Sequence, residues 1–219
     1  MNSVLHILYE QISKRAKDPC LHYLKNQHYE SISFESVAFR SQQLSQWLNQ
    51  HCKPNDKVVI WANNCWQWAV TDLACQLSGV VSIPIYATTG ADDLSFIFND
   101  SLPSVVFVDE LSNDVASLMT SYSSVKKVVL FKQPSQLDDD QMVLFDDIVS
   151  DQVADHRIDS DLWTKDRLND VMTMLYTSGT TGTPKSVPLT HNNIVQNFVG
   201  IRDIIPITSD DVSLSFLPL

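Results

Sequence analysis

Lys57 to Tyr86 reads KVVIWANNCWQWAVTDLACQLSGVVSIPIY, and this stretch decides the fold. Lys57–Trp61 is β-branched and apolar, the signature of a buried strand. Residues 65–78 carry Trp66, Ala69, Val70, Leu73, Ala74 and Leu77 at i, i+3, i+4, i+7, i+8 and i+11, which predicts a helix with one apolar stripe. Gly79 stands where such a helix needs a stop, and Val80–Tyr86 returns to strand composition. Two strands joined through a helix of this length form a βαβ unit, whose strands run parallel.

The rhythm continues outward. A helix is expected over 91–100, a strand over Ser104–Asp109, a helix over 111–122 and a strand over Lys126–Phe131. The runs VVI, VVFV and VVLF suit strands covered on both faces. Before Lys57, Ser3–Ala16 reads as an amphipathic helix with Leu5, Leu8 and Ile12 on one stripe. Cys20–Lys25 and His28–Ser33 read as short strands around a tight turn at Asn26-Gln27, and Ser33 caps a helix running to about Gln50. The fold class is therefore α/β: a layered, largely parallel sheet with helices on both faces.

At 219 residues, 44% apolar and 19% charged, the chain has ample material for a packed core and is no disordered tail. A net charge of −11 argues against non-specific nucleic-acid binding. The N-terminus MNSVLHILYEQISKR lacks the basic start and cleavage site of a signal peptide, and the uncharged stretch Leu73–Ala91 is too interrupted to span a membrane. Cys20, Cys52, Cys65 and Cys75 show no metal-binding spacing, so reduced core thiols and a cytoplasmic location are expected.

Most of the negative charge is local. Residues 138–170 hold eleven aspartates against Arg157, Lys165 and Arg167, a balance of −8. A calcium-binding loop of the EF-hand type is excluded, because no glycine occurs between Gly90 and Gly179. A solvated acidic connector is expected instead.

Residues 171–205 follow as the unit that carries chemistry. Val171–Tyr176 reads as a strand, then TSGTTGTPK runs from Thr177 to Lys185. Seven of these nine residues are Thr, Ser or Gly. Hydroxyls donate hydrogen bonds in little space, Gly179 and Gly182 let backbone N–H groups curl toward an anion, and Lys185 adds a mobile positive charge. No acid occurs between 171 and 201, so the loop is locally basic beside a strongly acidic neighbour. Such a loop after a strand is a phosphate cradle. A Walker A loop fails on two counts. Pro184 replaces the second glycine and removes an N–H, and Val187-Pro188-Leu189 continues extended where that loop enters a helix directly. The next helix is expected from Thr190, whose hydroxyl can cap HNNIVQNFVGI.

The stretch YTSGTTGTPK, extended by VPLTHNN at 187–193, resembles the phosphate-binding signature of the adenylate-forming enzymes, the acyl-CoA ligase superfamily. PNDKVVIWANNCWQW (54–68) resembles that family's first strand–helix unit. GVVSIPIYATT (79–89) with LSFIFNDS (94–101) is similar to its long-chain fatty-acid branch, as is SLSFLPL (213–219). Ser186 departs from the pattern, since a glycine usually follows the Pro-Lys pair; the departure bears on loop flexibility.

The resemblance implies that residues 1–219 are the N-terminal part of an AMP-binding domain, with the later N-domain and C-terminal domain lying beyond them. It implies an enzyme that joins a fatty acid to ATP, releases pyrophosphate and passes the acyl group to coenzyme A. Thr177, Ser178, Gly179, Thr180, Thr181, Gly182, Thr183 and Lys185 are the implied nucleotide-binding residues, and Thr177 is the implied contact to Mg²⁺. No catalytic residue is assigned within these residues, which alone are expected to be inactive. His191 reads as a helix-start residue rather than a general base, and Trp61, Trp66 and Trp68 as core rather than an acyl-chain wall. The implied partners are the small molecules fatty acid, ATP and coenzyme A, with peripheral membrane contact open to the longer chain. Two other readings stay open: an adenylating enzyme that loads a carrier protein or another carboxylate, and a nucleotide-binding module without catalysis.

Overall fold

The computed structural model describes residues 2–134, 139–150, 157–177, 184–202 and 204–215. In chain order the elements are α1 (Val4–Arg15), β1 (Pro19–Lys25), β2 (His28–Ser33), α2 (Phe34–His51), β3 (Lys57–Trp61) and α3 (Trp66–Ser78). There follow β4 (Val81–Ile85), α4 (Ala91–Ser101), β5 (Val105–Val108), α5 (Asn113–Ser121), β6 (Lys127–Leu130), β7 (Met142–Leu144) and α6 (Phe145–Ile148). The last are α7 (Ser160–Trp163), β8 (Val171–Thr177), β9 (Lys185–Thr190) and α8 (His191–Arg202).

Local chemistry sets the boundaries. Ser3, Ser33 and Ser112 each accept a hydrogen bond from the N–H three residues on, at 3.2–3.3 Å, and so begin α1, α2 and α5. The cap at Ser112 explains why α5 starts later than residue 111. At the end of α3, Gly79 adopts φ +74°; its N–H donates to Gln76 O at 3.2 Å and that of Val80 to Cys75 O at 3.1 Å. This is a Schellman closure. It uses the Val80 N–H, so β4 begins one residue later than composition suggests. Asn26 and Gln27 both have positive φ, 49° and 66°, the geometry of a tight hairpin turn between β1 and β2.

Among the described residues, seven strands form one sheet in the order β7-β6-β5-β3-β4-β8-β9. All neighbouring pairs are parallel except β8–β9, which is antiparallel. Strand alternation divides the core in two. Val58, Ile60, Val105, Phe107 and Val129 face α2 and α3, while Val59, Val106, Val108, Val128 and Leu130 face α4 and α5. Burying both faces stabilises by roughly 25 cal/mol per Å² of apolar surface removed from water. A third cluster joins α1, α2, α3 and α7 through Leu5, Ile12, Ala38, Leu77 and Trp163.

The acidic segment 138–170 is more than a connector. Its described aspartates are all exposed, as expected of a solvated face. Between them, however, β7 adds a parallel edge strand to β6, and Phe145 and Trp163 are fully buried. Gln42 of α2, itself buried, holds this segment. Its Oε1 accepts from Asp159 N at 2.9 Å and Trp163 Nε1 at 3.0 Å, and its Nε2 donates to Arg157 O at 3.1 Å. Arg167 is buried as well, donating to Leu77 O at 3.0 Å and pairing with Asp170 at 3.2 Å.

Candidate functional site

Parallel pairing brings the carboxyl ends of β3, β4, β5 and β8 to one edge of the sheet. The chain steps from β3 to β4 on one side and then to β5 on the other, which creates a topological switch point of the kind where open α/β sheets bind ligands. At that point Asn63 closes on Asp109, donating through both its backbone N–H at 2.9 Å and its Nδ2 at 2.6 Å to Oδ2.

Thr177 ends β8 on this same edge, and Lys185 begins β9 directly opposite it in register. Of the proposed phosphate-binding residues, these two are thus brought together across one rung, and both are exposed. Ser178, Gly179, Thr180, Thr181, Gly182 and Thr183 lie outside the described residues. A hydroxyl and an ammonium flanking the mouth of the loop suit an anion, and the exposed Thr177 hydroxyl is chemically suited to a hard cation such as Mg²⁺. Among the described residues no group of three or more His, Cys, Asp or Glu is placed to hold a metal.

The strand under the loop is held at both ends. At its start, Ser82 of β4 and Thr173 are in register, and Thr173 Oγ1 donates to Ser82 O at 3.1 Å. Ser82 Oγ donates to Asp72 Oδ1 at 2.7 Å, and Gln76 Nε2 to Asp72 Oδ2 at 2.6 Å. Burial raises the Asp72 carboxyl pKa and these two hydrogen bonds oppose the rise. At its other end, the Tyr176 hydroxyl donates to Asp100 Oδ2 at 2.6 Å. Ser186, opposite Tyr176 in β9, has no positive φ, so the backbone there makes no demand for glycine.

After β9 the chain turns into α8 as Thr190 and Asn193 cap one another: Thr190 N donates to Asn193 Oδ1 at 2.9 Å and Asn193 N to Thr190 Oγ1 at 3.2 Å. His191 then points inward and is 1% exposed. Burial and the neighbouring Arg167 lower its pKa to about 4, with Asp170 pulling the other way. It is a packed helix-start residue, as its position suggests, rather than a solvent-facing base. Burial holds the Cys20, Cys52 and Cys65 thiols up at about 11 and raises Cys75 well above its ordinary value, so none is a ready nucleophile. Trp66 and Trp68 pack on the α2/α3-side core and Trp61 on the opposite one. A cleft of about 1040 Å³ along β1 is walled by Tyr23, Arg40, Cys65 and Trp66; of the described phosphate-binding candidates, neither Thr177 nor Lys185 lines it.

Sequence signals missed Gln42, Arg167 and Asp72. Isolated polar residues in helices or acidic runs carry no periodic mark, and only the fold buries them.

The sequence matches the family described as AMP-binding enzyme over residues 8–219, and the chain belongs to that family. It is 31% identical over 220 residues to long-chain-fatty-acid–CoA ligase 5 of Rattus norvegicus, covering 92% of this chain and 32% of that protein. With mouse (Mus musculus) long-chain-fatty-acid–CoA ligase 6 it shares 32% identity over 225 residues, 95% of this chain and 32% of that one. It therefore spans about a third of the length of these relatives. Among solved structures, the fatty acid AMP ligase of Legionella pneumophila superposes with a TM-score of 0.74 at 17% identity, over 99% of this chain and 35% of that one. Acetoacetyl-CoA synthetase from Streptomyces lividans gives 0.76 at 18%, over 89% and 31%. These two show the shared fold. Among the described residues no helix is long and apolar enough to cross a membrane.

Proposed function

We propose that this chain is the nucleotide-binding N-terminal part of an AMP-forming ligase that activates a long-chain fatty acid with ATP and transfers it to coenzyme A. The observation that carries the reading is the Thr177–Lys185 rung, which opens a Ser/Thr/Gly-rich loop at the carboxyl edge of a parallel sheet. In the first step a carboxylate attacks the α-phosphate and negative charge grows on the departing pyrophosphate. Preorganised hydroxyls and N–H groups at Thr177–Thr183, with the Lys185 ammonium, stabilise that charge; one lost donor of this kind costs about 2.7–4 kcal/mol. Mg²⁺, when bound, neutralises phosphate charge, and Thr177 is its proposed contact in this chain.

The fatty-acid assignment draws support from the identity to two long-chain ligases over more than nine-tenths of the chain. Exposed Val187, Phe198, Ile201 and Ile205 on and after β9 and α8 suit a surface that further chain covers in the whole enzyme. Four free cysteines suit the cytoplasm as the compartment.

The test is ATP–pyrophosphate exchange by the full natural chain with a panel of carboxylic acids, followed by thioester formation with coenzyme A or a carrier protein. Exchange with long-chain acids and transfer to coenzyme A support the reading. Transfer to a carrier protein alone replaces it with the carrier-loading reading, and nucleotide binding without exchange replaces it with a non-catalytic module. Gly182→Val is expected to abolish exchange, and near-normal exchange by this variant overturns the loop assignment.

A further inference from the structure

Tyr176 immediately precedes Thr177, and its side chain leaves the hairpin for a different element. The hydroxyl donates to Asp100 Oδ2 near the end of α4 at 2.6 Å, and the ring meets Phe96 of α4 edge-on, centroids 6.4 Å apart with planes at 79°. We propose that Tyr176 and Asp100 are a positioning pair, through which α4 fixes the strand end that launches the Thr177–Lys185 loop and so sets how firmly that loop holds the phosphates of a nucleotide. This rests on the phosphate-binding reading above.

Three features carry it. First, Tyr176 and Met174 pack against the α4-side core while Thr177 alternates to the other face, so one residue, about 3.3 Å of strand, separates the tether from the rung at the loop's mouth. Second, Tyr176 lies opposite Ser186, the residue after Lys185, so the tether steadies both ends of the loop. Third, the hydrogen bonds of β8 to β4 gather near its beginning, where Ser82 is in register with Thr173 and Ser82 Oγ also donates to Met172 O at 3.3 Å. The phenol supplies the anchor near its far end. Partial burial, together with the Asp100 acceptor, raises the phenol pKa well above its usual range, so the hydroxyl stays a donor at any working pH.

The experiment measures MgATP binding by calorimetry, and KM for ATP and for carboxylate, in the full natural chain and four variants. Tyr176→Phe keeps the ring and its Phe96 contact and loses only the hydroxyl; it is expected to weaken MgATP binding about five-fold, the scale of one hydrogen bond to a partly hydrated carboxylate. Asp100→Ala should do the same, and the double variant should be no weaker than either single. Asp100→Asn keeps an acceptor oxygen and should stay within about two-fold of wild type. The carboxylate KM should not move in any of them. The pair is overturned by wild-type MgATP affinity in Tyr176→Phe or Asp100→Ala, by additive losses in the double variant, by failure of Asp100→Asn to hold affinity, or by an equal change in carboxylate KM. A fall in thermal stability with unchanged affinity also overturns it. A wild-type chain that binds no MgATP removes the phosphate-binding reading and this inference together, an outcome distinct from variants that match a binding wild type.

Discussion

The guanidinium of Arg167 occupies the space that a side chain on Gly79 would need. A Cβ built on Gly79 overlaps Arg167 Nη1, and the guanidinium reaches past it to the Leu77 carbonyl. The helix stop that the sequence marks with a glycine is thus also the seat of a buried cation.

Gly79→Ala meets two penalties. The position has φ +74°, which costs an L-residue about 1–2 kcal/mol, and Arg167 cannot withdraw without leaving Leu77 O unpaired, about 1–3 kcal/mol more. Urea unfolding is expected to show a loss of about 2–5 kcal/mol. In an Arg167→Ala background the same substitution should cost only the backbone part. Equal costs in both backgrounds would contradict the shared space.

Acid sensitivity follows from His191. Its pKa is lowered to about 4 in the fold, against about 6.5 in an unfolded chain. Above pH 6.5 neither state holds the proton and the group has no effect. As pH falls from 6.5 toward 4 the unfolded chain takes up a proton that the fold refuses, so stability declines, and it levels off near pH 4. Urea midpoints measured between pH 7 and 4.5 should fall less steeply in His191→Gln than in wild type.

Gln42 supports the acidic segment from beneath. Gln42→Ala strips the fully buried Trp163 indole N–H of its acceptor, and Asp159 N loses the same oxygen. The expected loss is about 2–4 kcal/mol in urea unfolding, since buried donors left unpaired cost about 1–3 kcal/mol each. A loss below about 0.5 kcal/mol, typical of surface changes, would mean that the segment stands without this anchor.

Two neighbours at the loop should behave oppositely. Lys185→Met removes the charge at the loop's mouth and is expected to lower adenylate formation about 10²-fold in the full chain. Ser186→Gly restores the residue more usual in the family but gains nothing, because Ser186 is already in ordinary extended backbone within β9. Exchange rates within two-fold of wild type are expected for it, with a small loss of stability of roughly 0.5–1 kcal/mol.

The βαβ unit from Lys57 was readable because β-branched runs and a filled 3.6-residue stripe agree with the buried sheet they build. The Thr190 cap and the extended course after Pro184 were readable for equally local reasons. What stayed hidden depends on distant partners. Met142–Leu144 is too short and too surrounded by aspartate to announce a strand, and only Val128, Val129 and Leu130 of β6 make it one. The short apolar run Met142–Phe145 and the pair Leu162-Trp163, set between aspartates, were the available hints of burial there. Arg167 had no sequence signal at all, since its burial follows from a glycine 88 positions earlier. At the site, the flanking strands were legible, whereas the register that sets Thr177 against Lys185 comes from how β8 and β9 pair.

The antiparallel return of β9 also divides assembly in time. The β8–β9 ribbon closes between residues 8 to 19 positions apart, from Thr177 with Lys185 to Val171 with Thr190, an event of roughly microseconds. Docking it beside β4 joins Ser82 to Thr173 across 91 positions, a far slower search. During synthesis the parallel strands up to β7 emerge from the ribosome first, so the β8–β9 hairpin meets a sheet already made and is seated by its long-range contacts, Thr173 with Ser82 and Tyr176 with Asp100.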